Sequence, residues 1–395
     1  MRPCGCSRSR HAPSIAPRSG RWMGVSSDYD EGSVISMRRE EVNHGSRTGN
    51  ADLAAMFELA VRRYPARPAV CWDEGSLTYA ELGVLARKFA CGLRRQGVAS
   101  GAVVALVGER GPEACAALLG ILLAGGAYFP IDPGLPASRI EAMVDDVAPD
   151  LTVILPGVEI WDSERGRHVR YADVLGAAES VPGPLVTHGN KSGDIAYVMC
   201  TSGSTGRPKA VAVTHRGVAR LSIDNGFWEI TPEDRVLHAS TLSFDASTLE
   251  LWSAFPNGAC VVIVERDVLI SPPALAEWIS ARDVSVVILT TGLFHHLARE
   301  NPVLFSGVRW LLVAGEALRP EIARRVLPYP EHFINGYGPC EGSCLATTYE
   351  IEDALAETVD IPIGTPISDT DCHVLDENFE PVPEGRVGDQ IQFPH

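Results

Sequence analysis

Two stretches constrain this chain more than any other property: Val103-Val104-Ala105-Leu106-Val107 and Val284-Ser285-Val286-Val287-Ile288-Leu289. Neither alternates apolar with polar along its length, so neither suits a sheet with one wet face. Both read as strands covered on two sides. Similar short runs recur near 69–72, 151–155, 195–200, 235–239, 259–264, 309–313 and 331–335, with helical patterns between most of them. Leu53–Arg63 has helical spacing. Thr78-Tyr79-Ala80-Glu81 is a capping box opening a helix to about Gln96, and Pro112 suits the first turn of another. This alternation predicts an α/β fold of layered, largely parallel sheets flanked by helices. Ligands of such sheets sit at the carboxyl ends of the strands.

The core is expected over 49–350. Residues 1–48, rich in Arg and Ser and without an apolar h-region, read as a disordered or non-native tail rather than a secretory signal. From 351 to 395 short strand-like pieces, His373–Leu375 and Gln390–Phe393, stand between Pro and Gly and read as the start of a small β subdomain. A net charge of −16 disfavours non-specific binding to nucleic acid or an anionic membrane surface. The longest apolar run, Ala116–Phe129, holds three glycines and is too short to span a bilayer, so a cytoplasmic protein is expected. Cysteines such as Cys71, Cys91, Cys115, Cys200 and Cys260 stand alone in apolar segments, with no zinc or disulfide spacing. They read as buried thiols of a reducing compartment.

Between two apolar runs lies Thr201-Ser202-Gly203-Ser204-Thr205-Gly206-Arg207-Pro208-Lys209. Successive N–H groups of a Gly-rich loop can converge on an anion, hydroxyls add donors, and a lysine adds a charge that phosphate accepts. The spacing is not that of a Walker A loop, and Ala210-Val211-Ala212-Val213 reads as strand, not helix. A mobile flap over a triphosphate, joining two strands, fits these residues; a solvated polar turn or a linker is the plainer alternative.

Ile195–Lys209 resembles the signature of adenylate-forming enzymes, in particular the adenylation domains of non-ribosomal peptide synthetases. Four further stretches match in order: Leu77–Leu82, Leu123–Asp132, Phe244-Asp245-Ala246-Ser247, and Asn335-Gly336-Tyr337-Gly338-Pro339-Cys340-Glu341. The resemblance covers roughly 51–388. It implies activation of an amino acid with ATP and Mg2+ to an aminoacyl-adenylate and pyrophosphate, then transfer to the thiol of a peptidyl carrier protein. It also implies that Thr201, Ser202, Gly203, Ser204, Thr205, Gly206 and Lys209 hold the phosphates. Gly315, Glu316, Asn335, Gly336, Tyr337, Gly338 and Cys340 complete the ATP site, and Glu341 is the magnesium carboxylate.

Asp245 would ordinarily be a helix cap. In the resembling motif it pairs with the substrate's α-ammonium, which implies an α-amino acid. The same comparison places Ala246, Leu249, Ile288, Leu312, Ala314, Gly336, Cys344 and Leu345 along the side-chain pocket, unless several are simply core. None is charged, so an apolar amino acid is expected, aromatic or large aliphatic rather than alanine. Two positions depart from the family pattern. Ala210 stands where glycine is usual, and Cys340 stands where threonine is usual, which weakens a donor. The family's ribose-binding aspartate stretch and its C-terminal domain with a catalytic lysine have no counterpart before His395. The expectation is therefore a fragment with no complete catalytic set and with impaired or no stand-alone activity. A non-catalytic nucleotide or amino-acid binder, or an acyl-CoA-synthetase-like ligase, are the alternatives.

Overall fold

The computed structural model describes residues 23–24, 51–158, 166–178, 189–201, 208–352, 360–376, 378, 380–383 and 389–394. Along the chain, β1 (Met23–Gly24) precedes α1 (Leu53–Arg63), β2 (Pro68–Trp72), β3 (Gly75–Thr78) and α2 (Tyr79–Arg95). There follow β4 (Val103–Val107), α3 (Pro112–Leu123), β5 (Ala127–Ile131), α4 (Ala137–Val147), β6 (Leu151–Ile154), β7 (His168–Arg170) and α5 (Tyr171–Ala177). The antiparallel pair β8 (Ile195–Thr201) and β9 (Lys209–Thr214) leads into α6 (His215–Ser222). Next come β10 (Arg235–His238), α7 (Asp245–Ala254), β11 (Cys260–Ile263), α8 (Arg266–Leu269), α9 (Pro272–Ala281), β12 (Val286–Thr290) and α10 (Thr291–Glu300). Then β13 (Trp310–Ala314), α11 (Pro320–Val326), β14 (His332–Tyr337), β15 (Thr347–Glu350), β16 (Thr365–Pro366), β17 (Thr370–Leu375) and β18 (Asp389–Pro394).

The local signals act as expected. The Thr78 hydroxyl accepts from the Glu81 N–H at 3.3 Å, and the Glu81 carboxylate accepts from the Thr78 N–H at 2.8 Å, so both halves of the capping box form. Asp52 caps α1 through the Ala54 N–H at 2.9 Å, and Pro112 occupies the first turn of α3. Strand β12 starts at Val286, two residues later than its apolar run. There the Ser285 hydroxyl donates to Asp234 at 2.7 Å and accepts from the Arg235 N–H at 3.0 Å.

Seven strands form one sheet in the order β1-β9-β8-β5-β4-β6-β7, nine form a second in the order β16-β15-β14-β13-β12-β10-β11-β2-β3, and β17 pairs with β18 alone. Within the large sheets only the β8–β9, β2–β3, β14–β15 and β15–β16 pairs are antiparallel. The side-chain period of two sorts each strand between two cores. On β4, Val104 and Leu106 enter the core that also holds α1, α2, α3, α6 and α7, while Ala105 and Val107 face α4. On β13, Trp310 and Leu312 face the shared core and Leu311 and Val313 face α9, α10 and α11. The result is a helix–sheet–helix–sheet–helix stack, which is why these strands carry continuous apolar runs. Among the described residues no helix is long and apolar enough to cross a membrane.

The described cysteines are all free, but Cys71 and Cys260 are not isolated in space. Their Sγ atoms lie 3.3 Å apart on the neighbouring strands β2 and β11. Cys71, Cys91 and Cys200 are also only half-buried, against the expectation of buried thiols.

Helices α2 and α5 touch at Gly92, where an added Cβ would lie 1.9 Å from the Val174 carbonyl oxygen. Gly→Ala in a helix interior gains about 1 kcal/mol of propensity. Overpacking against backbone costs about 1–3 kcal/mol or more. The clash decides the sign. Gly92→Ala is expected to lower Tm by roughly 2–6 °C in a thermal melt; an unchanged or higher Tm contradicts the close approach.

Candidate active site

Strands β12, β13 and β14 are parallel and in register, with Thr290 opposite Ala314 and Ala314 opposite Gly336, so their carboxyl ends lie level. Gly315 follows β13 with φ +112°, a conformation that side chains rarely adopt, and no atom lies within 4 Å of where its Cβ would be. The buried Thr291 hydroxyl fixes this turn. It is shared between the carbonyls of Ala314 (3.1 Å) and Glu316 (3.0 Å) and accepts from the Glu316 N–H at 3.2 Å. Glu316 itself is exposed. On β14, Asn335 is buried and donates one amide hydrogen to the Pro362 carbonyl at 2.7 Å, leaving a second donor and the acceptor. Tyr337, at the strand end, is 40 % exposed, enough to present a ring face. Gly338 cannot carry a side chain, because its Cβ would meet the Cys344 carbonyl at 2.7 Å.

Asp245 is the first residue of α7, and the N-cap is Phe244, so the carboxylate does not occupy the capping position. It faces the 3-10 turn Cys340–Gly342 instead, where the Cys340 thiol donates to its Oδ2 at 2.6 Å. Burial pushes the Asp245 carboxyl above the usual carboxylate range, opposed by the Cys340 hydrogen bond and by backbone N–H groups at the helix start. Burial and the adjacent Asp245 charge likewise push the Cys340 thiol far up, so it stays a thiol at neutral pH. Glu341 is exposed on the same turn. The turn leaves through Ser343 and Cys344, both at positive φ (59° and 74°).

Behind Asp245, Leu249, Ile288, Leu312 and Leu345 belong to one buried cluster, and Ala314 and Cys344 pack against it. Gly336 completes this wall: its Cβ would lie 2.8 Å from Leu345, 3.3 Å from Leu312 and 3.5 Å from Ala314. Ala246 is half-buried beside Asp245. The wall carries no charge, as its residue types predict, but two hydroxyls that the motifs do not mark lie against it. Tyr197 Oη and Thr248 Oγ1 are buried close to one another, and burial, with Tyr128, Cys344 and Asp245 nearby, pushes the Tyr197 phenol up.

Thr201 and Lys209 are opposite each other at the open end of the β8–β9 pair, Thr201 half-buried and Lys209 exposed. The segment between them thus joins two strands, as its composition suggests. Ser202, Gly203, Ser204, Thr205 and Gly206 lie outside the described residues. Ala210 is buried and packs with Phe129, Ile131 and Val198, a use for the methyl that glycine lacks. Strand β9 in turn contacts the Cys340–Gly342 turn.

Three supports are invisible in sequence because their partners are distant along the chain. Thr291 is one. The second is Arg220 of α6, which is buried and donates to the carbonyls of Gly342 and Leu345 and to the Thr370 hydroxyl. The third is the buried pair His238–Glu250 at 2.5 Å, whose carboxylate also accepts from the Ser240 N–H at 3.0 Å and ties the β10–α7 connection to its helix. The only local signal is a polar residue inside an otherwise apolar helix or strand.

Known proteins resemble this chain in sequence and in fold. The AMP-binding enzyme family matches residues 57–389. The chain is 35 % identical over 337 residues to tyrocidine synthase 3 of Brevibacillus parabrevis, covering 85 % of this chain but 5 % of that protein. It therefore spans only a small part of the curated relatives it matches. PA1221, a solved NRPS protein containing adenylation and PCP domains, superposes with TM-score 0.80 at 31 % identity over 88 % of this chain and 70 % of that one. The N-terminal subdomain of Klebsiella oxytoca NpsA in complex with 3-hydroxyanthranilyl-AMSN superposes with TM-score 0.78 at 25 % identity, over 86 % of both chains. The chain belongs to the AMP-binding enzyme family, among the adenylation domains of non-ribosomal peptide synthetases.

Proposed function

We propose that this chain supplies the ATP site and the apolar α-amino-acid pocket of an adenylation domain, in which the two substrates are condensed to an aminoacyl-adenylate with release of pyrophosphate. The observation that carries this reading is Asp245: a half-buried carboxylate, held by a thiol, at the head of an uncharged wall. A carboxylate so placed has a use for a substrate ammonium, and the wall penalises a charged side chain. The acceptor of the activated acyl group is a peptidyl carrier protein, as the domain content of PA1221 suggests. Residues 49–350 form the core in this reading and 351–395 open a β subdomain, which the separate β17–β18 pair supports. The protein acts in the cytoplasm.

The substrate carboxylate attacks the α-phosphorus of ATP, and the bond to pyrophosphate breaks. Lys209 and the hydroxyls from Thr201 to Thr205 hold the leaving phosphates. The Gly315–Glu316 turn and Tyr337 hold the purine, with the free amide donor of Asn335. Glu341 suits Mg2+: its carboxylate is exposed, and among the described residues no cluster of three metal-binding side chains surrounds it. The remaining positions go to phosphate oxygens and water, as magnesium prefers. The cation supplies neutralisation of the phosphate charge.

Calorimetric titration of the chain with MgATP and a panel of amino acids tests this reading. A large apolar amino acid is expected to bind with Kd below ~1 mM, and glutamate and lysine at least ~10-fold more weakly. No nucleotide binding, or a preference for a charged amino acid, contradicts it.

Asp245→Asn separates binding from stability. A carboxyl whose folded-state pKa is raised binds its proton more tightly folded than unfolded. Its contribution to stability is fully present at low pH and is lost as pH rises from the ordinary carboxylate range through the raised value. The unliganded variant is therefore expected to melt higher than the parent at neutral pH, the gap closing in acid. Its affinity for the amino acid falls ~10–100-fold, with ATP affinity nearly unchanged.

Cys340→Thr replaces a weak donor with a hydroxyl. ATP affinity is expected to rise by up to ~10-fold. A weaker complex would show that the thiol is the fitted group.

A further inference from the structure

The turn that bears Cys340, Glu341, Cys344 and Leu345 combines groups on which the proposed chemistry depends, yet its own internal hydrogen bonds are few. Gly342 N–H donates to Pro339, Ser343 N–H to Cys340 and Leu345 N–H to Ser343. Two consecutive residues at positive φ leave it without regular support. Its carbonyls are instead met by one side chain from elsewhere. Arg220, 1 % exposed, donates through Nη2 to the carbonyls of Gly342 and Leu345 (2.7 Å), with Ser343 at 3.5 Å. Through Nη1 it donates to the Thr370 hydroxyl at 2.7 Å. A planar fork of donors suits this task, whereas a lysine would reach fewer acceptors at fixed angles. The same helix meets the turn a second time, because a Cβ on Gly217 would lie 2.5 Å from the Ser343 hydroxyl oxygen.

We infer that Arg220 is a positioning residue for the active site: it seats the Cys340–Leu345 turn on α6 and thereby sets where Glu341 can reach a phosphate-bound magnesium ion. The inference rests on the ATP-binding reading above. Arg220 touches no reacting atom in this scheme; it acts through the carbonyls of the turn. Thr370 extends the same clamp to β17, so one guanidinium joins α6, the active-site turn and the small β pair.

The test is ATP affinity of the full chain, measured by calorimetry with MgCl2 and again in EDTA. Arg220→Met is expected to weaken MgATP binding ~10–100-fold, the range for hydrogen bonds to a charged group. In EDTA it should differ from the parent by less than ~3-fold. Arg220→Lys recovers part of the loss. A purely structural role would weaken both conditions alike and would give no recovery in the lysine variant. Gly217→Ala, which leaves the guanidinium intact, is expected to give the same magnesium-specific loss, and adding Ser343→Gly to it should restore binding. The inference is overturned if Arg220→Met binds MgATP as the parent does, if the losses are equal with and without magnesium, or if Gly217→Ala is neutral. Should the arginine variants fail to fold, the Gly217 and Ser343 pair decides the matter. Absence of ATP binding by the parent would remove the functional reading itself, a distinct result.

Discussion

Parallel strands hydrogen-bonded edge to edge must be covered on both faces, and nearly everything else in this protein follows from that. Covering two such sheets takes three helix layers, with the middle one shared between them. The faces are then closed to ligands. What stays open is the row of strand ends, where β12, β13 and β14 finish level and the backbone turns away at Thr290, Ala314 and Tyr337. Polar chemistry is confined to that edge because only there can charged groups meet water and substrate without lying deep in the core.

The edge is also where the fold tolerates cost. An ionised Asp245 beside an apolar wall is disfavoured by burial, and two buried hydroxyls, of Tyr197 and Thr248, lie against that wall. Positive φ at Ser343 and Cys344 adds backbone strain at the same place. These costs are offset by rigid supports beneath the candidate site: the Thr291 hydroxyl under the Gly315 turn, the His238–Glu250 pair that ties β10 to α7, and Arg220 under the Cys340 turn. Such a division, unfavourable groups in front and over-determined contacts behind, is the expected form of a preorganised site.

Much of this is legible in the sequence. The capping box at Thr78–Glu81, the proline at the start of α3 and the continuous apolar runs act through neighbours within a few residues, so reading them needs no tertiary contact. The candidate pocket residues are legible for a different reason. Leu312, Ala314, Gly336 and Leu345 can be named by motif, and they meet in one wall. Legibility ends where one residue type serves two roles. Asp245 has the look of a cap and is not one. Asn335 offers a free amide and spends part of it on Pro362. Cys71 and Cys260 look solitary and are adjacent, because the order of strands in the sheet brings together segments almost two hundred residues apart.

By itself, then, the sequence determined the kind of layers this chain builds, the place of most of its buried parallel strands, and the loop–strand motifs that mark its family. Those are properties of local periodicity and of short stretches with fixed internal spacing. Short strands such as β3, β5, β7, β15 and β16 were not legible. Tertiary structure alone decided that the Cys340 thiol points at Asp245, that Tyr197 and Thr248 bring hydroxyls to an otherwise apolar wall, and that Arg220 holds the turn between them. Those facts depend on which sheet order and which helix crossing is adopted. Hydrogen bonds between groups about a hundred residues apart leave no periodic trace in the chain that makes them.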